Sequence, residues 1–301
     1  MTVTETYSTN LPISNGKLAM WLFLATEVMF FTGLLASCML LRESAPNPGP
    51  NIPYWPDHKT VHIDPWLGAF NTVILISSSL AVLFAIKTLK SGKAAFANML
   101  LGFTLLLGTT FLVIKGFEYK GKFEHGLLPG KIGESLPNMS TSRDKLLQQN
   151  GLAYIRTVQQ KLRIITNGVT QDNLKDQPPL IQKSFLLYSL TLDDKDENKA
   201  YIRPLSPGQV GEKVNLLLAE FPQLHLPPAI PNGNLWASCY FALTGVHALH
   251  IVFGLIAIFF IFLKGLLGNL PALESTLEVT GLYWHFVDLV WLVIYPVIYL
   301  L

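Results

Sequence analysis

Apolar residues gather into five long blocks along this chain, at 18–41, 66–86, 94–114, 234–263 and 279–301. Each reaches the ~20 apolar residues that a helix needs to cross a bilayer. Only two formal charges, Glu27 and Asp288, interrupt them. A buried helix of a soluble protein rarely runs this far without charge, so five such runs predict an integral membrane protein. The pattern changes between the third and fourth blocks. Residues 121–233 carry 13 Lys or Arg and 11 Asp or Glu, mixed in sign and without a low-complexity run. A structureless loop of that size is uncommon, so a small extramembrane domain is expected there. The predicted fold is all-α, a bundle of five transmembrane helices carrying a mainly helical insert. Membrane helices 1–3 fall in 1–120, the soluble insert in 121–233, and membrane helices 4 and 5 in 234–301.

Helical signals recur within the insert. The hydroxyl cluster Ser140-Thr141-Ser142 suits a helix start. Leu152, Ile155, Leu162 and Ile165 form one stripe that ends at Asn167-Gly168, a C-cap pair. Ser206 followed by Pro207 reads as an N-cap with proline at the first helical position, and Val210, Val214, Leu217 and Phe221 then recur at helical spacing. The acidic run 193–197 reads as a solvated turn without the spacing of an EF-hand loop. His125 and His225 are expected at the surface.

Composition narrows the function. Charged residues are 14% of the chain and the net charge is +2 with no basic block, which excludes a nucleic-acid binder. The two cysteines, Cys38 and Cys239, lie inside apolar blocks. They exclude a disulfide scaffold and a Cys-based metal site, and read as small packing residues. Leu35-Ala36-Ser37-Cys38 has the form that precedes a lipid-modified cysteine. The apolar run before it, however, is long and contains Glu27, so a cleaved signal is not expected. Lys17, Lys87, Lys90, Lys93 and Lys264 on one side outweigh Arg42 and Lys59 in the first loop on the other, favouring a cytoplasmic N-terminus. Lys115, Lys120 and Lys122 flank the insert on that second side and oppose this count.

A charge near mid-bilayer costs about 2.5–3.5 kcal/mol on insertion scales, so each polar group there asks for a reason. Glu27 lies ten residues beyond Lys17, ~15 Å of helical rise and close to the bilayer centre. It reads either as a proton-exchanging or lipid-contacting acid, or as a neutral acid bonded between helices. In the fourth block Thr244, His247 and His250 follow one another at i, i+3 spacing, and in the fifth His285 and Asp288 do the same. Histidines and an acid can ligate iron, copper or zinc. An interhelical polar network is the favoured reading, and no metal site is expected.

The segments EVMFFTG (27–33), FNT (70–72), TGVHALH (244–250) and YWHFVDLVWL (283–292) together resemble subunit III of haem–copper respiratory oxidases. The resemblance covers about 17–120 and 233–301. It implies the non-catalytic third subunit of a bacterial, proton-pumping cytochrome c oxidase, which passes electrons to oxygen in aerobic respiration and forms water. Such a subunit holds no redox centre; haem and copper sit in the partner subunits. It packs beside catalytic subunit I in an enzyme that also contains copper-bearing subunit II, binds phospholipid, and sustains proton uptake. Three intramembrane histidines are also too few for a haem–copper centre. Glu27 matches the family's intramembrane glutamate, and Glu118 sits where the family has a second acid. His247, His250, His285 and Asp288 match its motif positions, with Thr244 in the same stretch.

The family's topology implies the bacterial cell membrane, N-terminus inside, with the insert and C-terminus on the periplasmic side. Longer members have seven spans, and the first span here corresponds to their third. The insert has no family counterpart, and contact with an extra subunit or a donor cytochrome is the expectation for it. A quinol oxidase or a nitric-oxide-reductase accessory protein would use a closely similar chain. A proton-coupled transporter would explain Glu27 and Asp288 but predicts matched repeats or broken helices, and none is visible.

Overall fold

The structure is a computed structural model and describes residues 14–45, 55–58, 60–133, 142–192, 205 and 207–300. Ser140, Thr141, Ser206, Lys59 and the acidic run 193–197 lie outside the described residues. Eight α-helices follow in order among those described: α1 Asn15–Glu43, α2 Pro65–Lys90, α3 Ala94–Glu124, α4 Ser142–Ile165, α5 Pro179–Thr191, α6 Pro207–Glu220, α7 Gly233–Leu266 and α8 Glu274–Tyr295. α1, α2, α3, α7 and the stretch Leu270–Leu300 are each long and apolar enough to cross a membrane. All five run past the apolar blocks in the sequence. α3 in particular continues ten residues beyond 114 through Lys115, Glu118 and Lys122. Pro296 has no N–H to donate into the preceding turn, and the chain after α8 widens into a π-helical turn, Pro296–Leu300.

The chain separates into two compact units. The first comprises the chain up to Ala36, Leu67–Val113 and Leu243–Val297. Its seam is the pairing of α2 with α8. The Trp291 indole N–H donates to Thr72 Oγ1 at 3.0 Å, the Trp284 indole to Ser78 Oγ at 3.0 Å, and Ser79 Oγ lies 2.5 Å from His285 Nδ1. Numbers rise on α2 as they fall on α8, so the two helices run antiparallel. Trp284 is fully buried, in a slot that two glycines keep open. A Cβ at Gly254 of α7 would come within 2.8 Å of the indole, and one at Gly108 of α3 within 3.0 Å. Small residues on facing helices admit such close approach.

α1 is the least buried of the five, with 11% of its apolar window inside the protein. Within the first unit its buried anchors are Leu24 and Phe31. Two polar contacts therefore set its register. Lys17 pairs with Glu278 at 2.5 Å, and Lys90 reaches the same carboxylate, so the ends of α1, α2 and α8 meet at one ion cluster. Glu27 reaches α7, as described below. Outward-facing side chains such as Met29, 75% exposed, and Phe253, 62% exposed, are apolar, as a lipid-facing surface requires.

The second unit comprises Ser37–Trp66, Ile114–Ala242 and Ile298–Leu301. Here α4, α5 and α6 close on a core of Tyr154, Val158, Leu162, Leu187, Val210, Val214 and Leu217. Of the stripe expected on α4, Leu162 is buried and Ile155 and Ile165 pack against the core, while Leu152 is 50% exposed; Tyr154 and Val158 join the inward face. Tyr154 anchors that face. Its ring packs where Gly133 has no side chain, and its hydroxyl, pushed upward in pKa by burial, stays a donor to the Pro227 carbonyl at 3.1 Å. α6 begins at Pro207 and buries Val210, Val214 and Leu217 as its spacing predicts. α5 is a helix that the hydrophobic pattern did not single out. α4 is followed by Gly168 at φ +78°, consistent with the Asn167-Gly168 cap.

Two asparagines stand in for a strand partner. Asn215 accepts from the Ala229 N–H at 2.9 Å and donates to its carbonyl at 2.8 Å. Asn234 accepts from the N–H groups of Gly130 and Ile132 and donates to the Ile132 carbonyl. Cys38 and Cys239 are buried and unbridged, with their thiols in hydrogen-bond contact.

Gly254→Val should force the Trp284 indole out of its slot and destabilise the protein by about 1–3 kcal/mol. Thermal unfolding in detergent reads this as a lower midpoint. Gly116→Ala, where an added Cβ meets open space, should leave the midpoint unchanged.

Candidate functional site

Glu27 sits on α1 where its helix meets α7. His250 Nδ1 lies 2.8 Å from the Val246 carbonyl, which can only accept, so Nδ1 carries a proton. His250 Nε2 lies 3.1 Å from Glu27 Oε2. One proton occupies that second contact: carboxylic acid with imidazole, or carboxylate with imidazolium. Phe31 packs edge-on to the imidazole with centroids 5.2 Å apart, and Tyr283 donates its hydroxyl to the His250 carbonyl at 3.0 Å. The pair opens onto a groove of about 470 Å³ whose other walls include Met20, Phe23, Phe253 and Ala257. An apolar trough with one polar pair at its wall suits a chain-like ligand with a polar end.

The other motif residues take separate partners. His285 meets Ser79 on α2. His247 stacks on Trp291 with centroids 5.2 Å apart and meets Phe111 edge-on. Thr244 and His247 are both buried. Asp288 is buried too, with Ser79 of α2 as its side-chain partner. The i, i+3 spacings put these side chains on shared helix faces, but the contacts reach out to α1, α2 and α3 rather than joining α7 to α8 in one His–Asp chain. Among the described residues no three His, Cys, Asp or Glu side chains converge as metal ligands.

Glu118 belongs to a cluster in the second unit that sequence reasoning missed in part. It accepts from Tyr240 at 2.6 Å, from Tyr299 at 2.8 and 2.9 Å, and from Lys115 at 3.0 Å. Lys115 is 3% and Glu118 7% exposed. The Lys115 ammonium also lies 5.1 Å from the Tyr299 ring and 5.5 Å from the Tyr240 ring. Lys115 and Lys122, which flank the insert in sequence, are both buried. Lys122 donates to the carbonyls of Val61 and His62, holding the segment that precedes α2. The i, i+3 spacing of Lys115 and Glu118 was a signal for the ion pair; no local pattern announces Tyr240 or Tyr299.

Residues 4–124 and 226–301 match the family described as Cytochrome c oxidase subunit III. The chain belongs to that family. Outside the match lies 125–225, most of the insert. A relative named Cytochrome c oxidase subunit 3 in Synechocystis is 43% identical over 70 residues, covering 23% of this chain and 30% of the relative. One of the same name in Dictyostelium discoideum is 26% identical over 314 residues, 94% of this chain and 68% of the relative. A third, Heme-copper oxidase subunit I+III of Aeropyrum pernix, is 34% identical over 71 residues, 23% of this chain and 9% of the relative. Membership in the subunit III family and five apolar helices make this a multi-pass membrane protein, and the transporter reading is not favoured.

Removing one partner of a buried ion pair strands the other. Glu118→Ala should therefore cost about 3–5 kcal/mol, whereas replacing the ion pair together with its two hydroxyl donors (Lys115→Met, Glu118→Leu, Tyr240→Phe and Tyr299→Phe) should recover much of the loss. Thermal unfolding of the two variants beside the wild type in detergent checks the difference.

Proposed function

We propose that this chain is the non-catalytic third subunit of a proton-pumping cytochrome c oxidase, which reduces oxygen to water with four electrons. On this reading it packs beside catalytic subunit I in a complex with copper-bearing subunit II, and those partners hold the haem and copper. Its own contribution is to support assembly, bind phospholipid, and sustain proton uptake by subunit I through many turnovers. It resides in the bacterial cell membrane with the N-terminus cytoplasmic and the insert and C-terminus periplasmic. The insert contacts an extra subunit or the donor cytochrome on that outer face.

The observation that carries this reading is the Glu27–His250 pair at the wall of an apolar groove. An acyl chain of a phospholipid fits the groove's apolar lining, and a pair sharing one proton suits a group that buffers proton transfer nearby. The name of the Aeropyrum pernix relative, which joins subunits I and III, supports the pairing with subunit I.

Glu27→Gln keeps the side chain's size and a hydrogen bond but removes the exchangeable acid. The complex should assemble normally, while its active lifetime under continuous turnover shortens. Oxygen consumption followed to inactivation, beside a subunit gel, checks both halves. Unaltered inactivation kinetics in an intact complex would contradict the assignment.

A further inference from the structure

Three of the four histidines outside the apolar blocks come together in the second unit, from segments far apart in the chain. His62 precedes α2, His125 immediately follows α3, and His225 precedes α7. The His62 and His125 rings lie 4.4 Å apart with a 34° tilt, and the His125 and His225 rings 5.7 Å apart with a 41° tilt. His125 Nδ1 lies 2.8 Å from the Gly121 carbonyl, which fixes the middle ring against its own helix. His62 has a backbone φ of +51°, a left-handed conformation that non-glycine residues adopt at a cost. The buried Lys122 ammonium holds that conformation by bonding the Val61 and His62 carbonyls. On the far side Lys161 of α4 bonds the carbonyls of His225, at 2.5 Å, and Glu124.

We propose that His62, His125 and His225 form a proton-sensitive latch that joins these three segments while the rings are neutral and releases them when the rings are protonated. Neutral imidazoles stack favourably, as aromatic pairs do at such spacing. Cations surround the row. Lys122 lies beneath His62, Lys161 beneath His225, and Lys131 close enough to Lys161 to help burial hold that ammonium below its ordinary range. The carboxylates nearby already have partners: Glu124 pairs with Lys120 at 3.7 Å, and Asp57 with His58 at 2.7 Å. A proton on His62 thus meets like charge from the Lys122 ammonium and from a protonated His125.

Burial, His125 and Lys122 all push the His62 imidazole below its ordinary value of 6.5. A group whose pKa is depressed in the closed form takes up its proton preferentially in the open form. Closure is therefore fully favoured above that ordinary value and is lost as pH falls below it.

The test is hydrogen–deuterium exchange of the purified full-length complex at about pH 7.5 and about pH 5.5, across the histidine titration range, corrected for intrinsic exchange. Wild-type protection of the peptides containing His62 and His225 should fall by about threefold or more at the lower pH. His125→Phe keeps an aromatic ring that cannot take a proton, so the low-pH loss of protection should shrink in both peptides. His62→Asn tolerates the left-handed backbone but has no ring, and should leave the His62 peptide weakly protected throughout. Equal wild-type protection at the two pH values would overturn the proposal, and so would an undiminished loss in His125→Phe. If His125→Phe fails to accumulate, His225→Phe is read by the same criterion.

Discussion

A helix in lipid satisfies its own backbone, but each polar side chain it carries must find a partner inside the protein. That constraint organises the first unit. Its two buried tryptophans donate to hydroxyls of α2, and the serine beside one of them meets His285. Helix association in lipid gains little from apolar burial alone, so packing and a few hydrogen bonds decide which faces meet. The glycine slot around Trp284 supplies the packing, and the indole N–H supplies the bond. α1, with little of its surface buried, depends on the constraint most. Glu27 and Lys17 are its polar groups facing inward, and each has a partner on another helix.

The second unit answers a different demand. It contains charges that are buried and compensated rather than avoided. Lys115 and Glu118 neutralise each other, two tyrosine hydroxyls complete the carboxylate, and Lys122 uses its ammonium to hold backbone carbonyls. Tyr299 carries this cluster to the last described turn of the chain, which ties the C-terminal segment to α3 and α7. In the insert, asparagine side chains complete loop backbone groups that would otherwise need water.

The five membrane helices were legible because long charge-free runs admit few other readings. Their ends were not, since α3 continues helically through residues whose charges resemble a boundary. Hydropathy registers a lysine as exposed; it does not see the tyrosines and acid that bury Lys115. The insert showed the same limit. α6 was readable from a clean stripe of branched apolar residues, and most of the α4 stripe was too, but not its anchor Tyr154, whose site depends on the distant Gly133 and Pro227. For the polar residues, i, i+3 spacing identified which side chains share a face. It could not identify the opposite helix, and so missed that His250 pairs with Glu27 and His285 with Ser79. The histidine row was invisible for the same reason: its members are scattered through three connecting segments.

Membership in the subunit III family ties the chain to the oxidase complex, and the supporting role proposed for it rests on the groove and the Glu27–His250 pair. The most direct measurement is to purify the native complex through a tag on this chain, then record its subunit list and visible spectrum together. The account predicts stoichiometric recovery of a catalytic subunit with haem and copper signals and oxygen consumption driven by reduced cytochrome c. Recovery of this chain as an intact, folded protein without any haem-bearing partner would contradict it.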